Sequence, residues 1–126
     1  MEERFEIMAD LKKVGLTEYE SKAYLSLLAE YPQTGYSLSK RSGVPRSRIY
    51  EVLKTLSAKQ MVFEQEEQKS RRYYPMEPDI FIKKLTADYA AAFSAIRKHT
   101  EQLYQKTSPD DKLVIIRGRP GIIRFL

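Results

Sequence analysis

The chain has 126 residues, of which 42% are hydrophobic and 31% charged, enough for one folded domain with an appendage and too well balanced for a disordered chain. It contains no cysteine and a single histidine, which excludes disulfides, thiolate zinc sites and any metal site built from histidines alone. The net charge of +5 is compatible with nucleic acid or an anionic surface as a partner, so the distribution of the charge matters more than its sum.

Two amphipathic helices are predicted first. Apolar residues recur every three or four positions from Glu3 to Val14, and Gly15 ends that pattern. Thr17 and Glu20 form a capping box, so a second helix begins there and runs to about Glu30. Its expected apolar face consists of Ala23, Tyr24, Leu27, Leu28 and Tyr31.

A short helix, a turn and a longer helix follow. Thr34 caps a helix that continues through Ser42, and Gly43 is the usual residue for a left-handed helix end. Pro45 is tolerated in the first turn of the next helix, which runs to about Lys59. This spacing is that of a helix-turn-helix. The longer helix is expected to bury Ile49, Val52, Leu53 and Leu56.

A polar segment between two apolar runs predicts a β-hairpin, or wing. Residues 61–63 are apolar, Tyr73, Tyr74 and Pro75 form the second run, and Glu64 to Arg72 between them is wholly polar. We expect two short strands joined by a flexible tip, whose turn type stays open because no Asn-Gly or Asp-Gly pair is present. The two tyrosines favour packing within the wing over stacking on bases.

Residues Pro78 to about Lys106 are predicted to form one long helix. Six apolar residues and His99 are spaced 3, 4, 3, 4, 3 and 4 apart along it, which is a heptad seam. The helix could fold back on its own domain or pair with a second copy, and pairing is favoured because helix-turn-helix proteins usually dimerise. His99 lies on the seam as a tolerated residue or a pH-responsive contact. The expected dimerisation residues are Ile82, Leu85, Tyr89, Ala92, Ile96 and Leu103.

The last segment predicts a further domain. Residues 112–116 have the pattern of a strand buried on both faces, which needs neighbouring strands. We therefore expect a mainly α chain with a small β-hairpin, divided into a winged helix-turn-helix domain (1–76), a dimerisation or linker helix (77–107) and the start of a truncated C-terminal domain (108–126).

Positive charge is concentrated in the helix-turn-helix. Between Gly35 and Lys59, six basic residues stand against Glu51 alone, for a net charge of +5. The first turn of a recognition helix presents its exposed side chains to base edges, here Arg46, Ser47 and Arg48, and arginine bonds guanine through two N–H groups. A solvated basic face, and an exposed wing of balanced charge, are the alternatives. Tyr19, Tyr24 and Tyr36 are expected in the core or at its rim. The expected DNA-binding residues are Lys40, Arg41, Pro45, Arg46, Ser47, Arg48, Tyr50, Lys54, Lys69, Arg71 and Arg72.

Three stretches of the chain resemble the TrmB family of prokaryotic transcriptional regulators. They are residues 11–20 with Ala23-Tyr24, residues 42–53 with the sequence SGVPRSRIYEVL, and Arg72-Tyr73. The resemblance implies a winged helix, operator binding, a dimer and often control of sugar-metabolism genes. Where the family has a glycine after the recognition helix, this chain has residues 59–61, Lys-Gln-Met.

The remaining expectations concern activity and partners. No phosphate-binding loop or nucleophile motif is present, so we expect neither an enzyme nor a cofactor or metal. The charged N-terminus and the lack of a long apolar run predict a cytoplasmic protein without membrane contact. Double-stranded DNA and a second copy are the expected partners, with a small-molecule effector only in a longer form. A winged helix used for protein–protein contact is the alternative function.

Overall fold

Five helices and a two-stranded sheet make up residues 2–106, the part of the chain that this computed structural model describes, with side chains described from residue 6 onward. The chain divides into two compact units, Met1–Thr86 and Ala87–Leu126, and the boundary falls within the last helix. No helix in the described range has the length and hydrophobicity needed to cross a membrane. The domain start expected in residues 108–126 lies outside the described residues. In chain order the elements are α1 (Glu2–Lys13), α2 (Glu18–Ala29), α3 (Gly35–Ser42), α4 (Arg46–Ala58), β1 (Val62–Glu67), β2 (Ser70–Pro75) and α5 (Pro78–Lys106).

The local capping chemistry sets the starts of the helices as predicted. The Thr17 hydroxyl accepts a hydrogen bond from the Glu20 backbone N–H at 3.1 Å, and the Glu20 carboxylate accepts one from the Thr17 N–H at 2.8 Å. The Thr34 hydroxyl caps α3 in the same way, and Gly43 ends it with a φ of 83°. Pro45 stands at the N-cap of α4 with a φ of −56°, a value that its ring imposes.

Helix α2 lies at the centre of the domain, where α1, α3, α4 and β2 all contact it. Its small polar residues Ser21 and Ser26 are buried, whereas Leu28 and Tyr31, expected on its apolar face, are exposed. The expectation was wrong for these two because Leu28 faces away from the neighbouring elements, while Tyr31 lies beyond the helix end and contacts the ring of Tyr74. The core cluster comprises Leu16, Ala23, Tyr24, Leu27, Leu38, Val44, Ile49, Val52, Leu53, Leu56, Met61, Val62, Tyr73 and Phe81.

The strands of the wing are longer than the hydrophobic pattern predicts. Strands β1 and β2 pair antiparallel from Val62 opposite Pro75 to Glu67 opposite Ser70. Only Gln68 and Lys69 form the turn, with φ values of 49° and 65°, as in a type I′ hairpin. The expectation that the tip extends from Glu64 to Arg72 is therefore wrong. Strands that leave the core and are solvated on both faces need no apolar alternation, so their polar composition resembles that of a loop.

Gln33 joins the wing to the helices, a role that its sequence context does not indicate. It is buried, and its backbone exchanges hydrogen bonds of 3.2 and 2.8 Å with Tyr73. Its side-chain amide donates to the carbonyl oxygens of Ser26 and Glu30, which lie at the end of α2. One glutamine thus satisfies exposed helix carbonyls and extends the sheet.

The first turns of α5 pack against the domain core. Phe81 is buried and meets the ring of Tyr24 edge-on, with centroids 5.6 Å apart. Burial raises the pKa of the Tyr24 hydroxyl to about 12. Leu85, expected on the dimer seam, packs partly buried against the same core. The beginning of α5 is thereby anchored to the winged helix.

Candidate nucleic-acid interface

The exposed face of α4 carries most of the residues expected to contact DNA. Arg46, Ser47, Arg48, Tyr50 and Lys54 are all exposed, on the side of the helix away from its four buried residues. Because an α-helix turns about 100° per residue, Arg46 and Arg48 project about 200° apart, towards opposite flanks. The two arginines therefore have different surroundings, although they are separated by one residue in the sequence.

Arg46 lies on the α3 flank, against an aromatic ring. Its guanidinium carbon stands 4.8 Å from the ring centroid of Tyr36, and the Lys40 ammonium nitrogen stands 5.0 Å from the same centroid. Tyr36 is 46% exposed, so it lies at the rim of the domain and not in its core. We call these three residues the Tyr36 cluster. Sequence reasoning placed the two cations in the site but missed the ring, because the contact joins separate helices.

Tyr50 also depends on α3 for its position. A Cβ atom at Gly35 would lie 2.5 Å from the Tyr50 Cε1 and 2.7 Å from its hydroxyl oxygen. The absence of a side chain at Gly35 is what allows the ring to rest on the first residue of α3. Tyr50 is nevertheless 56% exposed and remains available to a ligand. Gly35 is a second site residue that the sequence analysis did not find.

Two of the expected cations in the helix-turn-helix are paired with carboxylates. Arg48 binds Glu51 one turn later, with 3.1 Å between Nε and Oε1, and its guanidinium lies 5.6 Å from the ring of Tyr19 on α2. Arg41, at the end of α3, forms an ion pair with Glu30. Both pairs are largely exposed. They therefore orient the side chains, but a ligand that breaks them loses little free energy.

Lys59 contributes to the fold and not to the exposed basic face. Its ammonium lies 2.8 Å from both carboxylate oxygens of Glu20, and the Thr55 hydroxyl donates to the same carboxylate at 2.6 Å. Burial alone would raise the pKa of Glu20, but the donors Lys59, Thr55 and the Thr17 N–H together hold it below its usual 4.5. The net charge of +5 counted for residues 35–59 therefore overstates the charge offered to a ligand.

The cations of the wing occupy three different settings. Lys69 lies in the hairpin turn, and Arg71 forms an ion pair of 3.5 Å with Glu64 across the strands. Arg72 is half-buried, and its Nε is the one buried side-chain nitrogen or oxygen within residues 6–106 that lacks a hydrogen-bond partner. Arg71 and Arg72 belong to β2 and not to the tip where they were expected.

The wing and α4 enclose a groove of about 630 Å³. Its walls include Tyr50 and Lys54 from the helix and Glu64 and Arg71 from the hairpin. Tyr73 lines it and belongs to the core, where burial first and the Glu64 carboxylate second raise the pKa of its hydroxyl. Tyr74 packs on the other face of the hairpin, stacked on Phe63 with ring centroids 5.2 Å apart. Both tyrosines therefore pack against other residues of the protein, Tyr73 in the core and Tyr74 within the wing.

The exposed part of α5 is apolar along one side. Ile82, Phe93 and Ile96 are each more than half exposed, and Phe93 stacks on Tyr89 at 6.3 Å between centroids. Phe93 was not among the expected seam residues, although helical periodicity places it about 60° from Ile96.

The chain is similar in sequence to known regulators. A family model described as the sugar-specific transcriptional regulator TrmB matches residues 11–79. The uncharacterized protein YrhO of Bacillus subtilis is 40% identical over 113 residues, which cover 90% of this chain and 41% of YrhO. The HTH-type sugar sensing transcriptional regulator TrmBL1 of Pyrococcus furiosus is 36% identical over 106 residues, which cover 84% of this chain and 31% of TrmBL1. The chain thus spans less than half of either relative.

Solved structures share the fold. The archaeal chromatin protein TrmBL2, whose structure is described as showing a novel mode of DNA binding, matches with a TM-score of 0.69 at 24% identity, over 82% of this chain and 40% of that one. A MarR family regulator from Silicibacter pomeroyi matches with a TM-score of 0.52 at 18% identity, over 95% of this chain and 84% of that one. At such identities the likeness establishes the winged-helix architecture alone.

Proposed function

The chain belongs to the TrmB family of transcriptional regulators, and from that premise we propose that it binds operator DNA in the cytoplasm as a homodimer. In this proposal residues 1–76 bind DNA, residues 77–107 join the two copies, and residues 108–126 begin a C-terminal domain. A small-molecule effector belongs to longer forms, since the relatives are more than twice as long as the matched region.

The observation that carries the proposal is the character of the outer face of α4. Its buried side is wholly apolar, whereas its exposed side presents Arg46, Ser47, Tyr50 and Lys54. The major groove of B-DNA is about 12 Å wide and admits one helix. A module that contacts other proteins has no need for this set of cations and hydrogen-bond donors at a helix start.

The geometry supports different roles for these residues. Arg46 opens the helix and would meet base edges, while Tyr50 and Lys54, one and two turns later, would lie along the groove wall. Arg48 lies on the opposite flank and is paired with Glu51, which suits a contact to the phosphate backbone. Ser47 can serve a base or a phosphate.

The remaining expected contacts surround α4. Pro45 sets the entry of the chain into the helix, and Lys40 stands beside Arg46 in the Tyr36 cluster. The wing cations would track the phosphate backbone at the edge of the groove, and the same role is proposed for Arg41. The backbone contacts proposed on this basis are Lys40, Arg41, Lys69, Arg71 and Arg72.

The test is the affinity of variants for an operator selected from random duplexes, measured against a scrambled duplex over a salt series. Arg46→Ala should cost about 1–3 kcal/mol on the operator and lose preference at one position. Lys54→Ala should weaken both duplexes alike and reduce the salt slope by about one unit. Lys13→Ala, which removes an exposed cation from α1, is the matched control and should change neither quantity. Binding to no duplex at low salt would contradict the proposal and favour the protein-interaction alternative.

The homodimer is proposed from the apolar side of α5. Ile96 is 54% exposed on that side, and Ile96→Asp would place a charge in the interface between two copies. Ser94→Asp adds the same charge about 200° around the helix and serves as the control. Sedimentation should find the first variant monomeric and the second dimeric. Equal masses for the two variants would exclude this seam.

A further inference from the structure

We propose that Tyr36 is a positioning residue that orients Arg46 for base readout. The inference rests on the proposed function, since it assigns a partner to the arginine that opens the recognition helix. It goes beyond that function because a residue of the preceding helix would then determine how precisely the operator is read.

Arg46 differs from the other arginines near α4 because its ring contact is not accompanied by a carboxylate. Arg41 and Arg48 each bind a carboxylate, whereas within the described residues no carboxylate lies within ion-pair distance of Arg46. Its described partner is the face of the Tyr36 ring, 4.8 Å away. Arg46 also stands at the first residue of α4, where the helix dipole is unfavourable to a cation. The ring therefore supplies an attraction that the helix itself does not.

An aromatic ring suits this task better than a carboxylate. The face of the ring attracts a cation without neutralising its charge. The ring also accepts no hydrogen bond from the in-plane N–H groups of the guanidinium, which are the groups that bond guanine. A carboxylate would compete with the base for those donors. The ring thus restricts the arginine while leaving its recognition groups available.

Lys40 extends the same arrangement. It follows Tyr36 by one helical turn, so both side chains lie on one face of α3, and its ammonium contacts the ring at 5.0 Å. One ring therefore holds two cations from consecutive helices, beside the exposed face of α4. Replacing the ring should free both cations and leave their charges in place.

The experiment is a double-mutant cycle on DNA affinity. Tyr36→Leu should lower the ratio of operator to scrambled affinity by about two- to fivefold, the strength of an exposed cation–π contact. Tyr36→Phe keeps the ring and should keep the ratio. In an Arg46→Ala background, Tyr36→Leu should have no further effect on that ratio. Tyr31→Leu, which removes another exposed ring, one that contacts Tyr74, is the control and should leave the ratio unchanged.

The outcomes separate this inference from the proposed function. If Arg46→Ala leaves the ratio intact, the proposed base readout fails. If Arg46→Ala lowers the ratio but Tyr36→Leu does not, or if the two effects add, the positioning role is overturned. A Phe variant as weak as the Leu variant would assign the effect to the hydroxyl and would also overturn it. Thermal unfolding checks each variant, and Tyr36→Gln replaces the Leu variant if that one is destabilised.

Discussion

Removing the Glu20 carboxylate should loosen the recognition helix from the rest of the domain. Glu20 is 4% exposed and lies on α2, yet it receives hydrogen bonds from Thr55 and Lys59, at the end of α4. It also caps its own helix by accepting from the Thr17 N–H. One carboxylate therefore joins the start of α2 to the end of α4.

The expected loss follows from these three contacts. The capping hydrogen bond contributes about 1 kcal/mol, and the buried bond from Thr55 to a charged acceptor contributes about 1.5 kcal/mol. The Lys59 side chain is 28% exposed and can return to water, so its contact is discounted to about 1 kcal/mol. Glu20→Ala should therefore lower the free energy of unfolding by about 3–4 kcal/mol, which shifts the thermal midpoint of a domain this size by about 15–25 °C.

Thermal unfolding followed by circular dichroism measures the effect. Glu18→Gln is the control, since Glu18 lies on the same helix but pairs with Lys12 and Lys22 in solvent. It should leave the midpoint nearly unchanged. Glu20→Gln keeps an acceptor for the helix cap and should lose about 1–2 kcal/mol. If Glu20→Ala unfolds at the temperature of the Glu18 control, the assigned role of the carboxylate is wrong.

Acid sensitivity provides an independent check. Burial works to raise the pKa of Glu20, but its three donors outweigh burial, so the folded-state value lies below 4.5. The stabilisation is therefore complete above the unfolded value of 4.5 and disappears as the pH falls through the folded value. As the pH falls from 5 through the folded-state pKa of Glu20, the free energy of unfolding should therefore decrease less for Glu20→Gln than for the wild type. If the free energies of unfolding of the two proteins decrease in parallel with pH, the assigned link between Glu20 and stability is wrong.

Three further outcomes are expected. Gly35→Ala should change stability by less than about 0.5 kcal/mol, because alanine favours the helix and the Tyr50 ring can rotate away, yet it should weaken DNA affinity as much as Tyr50→Ala does. If Gly35→Ala binds DNA with unchanged affinity while Tyr50→Ala binds weakly, the position of the ring does not matter. Gln60→Gly should stabilise by about 1 kcal/mol, because the φ of 59° at this position favours glycine; Gln65→Gly within β1 should destabilise, and a lowered midpoint for both would refute the argument. Tyr24 has a folded pKa of about 12 against 10.0, so its stabilisation is complete below pH 10 and is lost as the pH rises towards 12. Tyr24→Phe should flatten that alkaline loss in denaturant titrations, and an unchanged loss would argue against it.

The sequence predicted the helices well, because their signals act over three or four residues. The capping box of Thr17 and Glu20, the Thr34 cap and the left-handed Gly43 all occur where the pattern indicated. Strand lengths in the wing were wrong, since solvated strands have no apolar alternation to mark them. The register depends on the positive φ values of Gln68 and Lys69. Glutamine and lysine are not residue types from which a turn is predicted.

Gln60, two residues after the end of α4, has a backbone conformation that its residue type disfavours. Gln60 stands in the segment where the family resemblance led us to expect glycine, and it adopts the left-handed conformation that glycine favours. Packing of Met61 and Val62 into the core holds the chain there.

The sequence by itself determined the family, the order of the elements and the residues of α4 that reach solvent, because periodicity and composition record which side of a helix meets the core. Only the tertiary structure decided the surroundings of each charge. Arg46 and Arg48 look equivalent in the sequence, but one rests on Tyr36 and the other binds Glu51 and Tyr19. The physical reason is the distance along the chain over which each interaction acts. A helix cap joins residues within one turn, whereas these contacts depend on how separate helices cross. The crossing of the helices is set by the packing of the whole core.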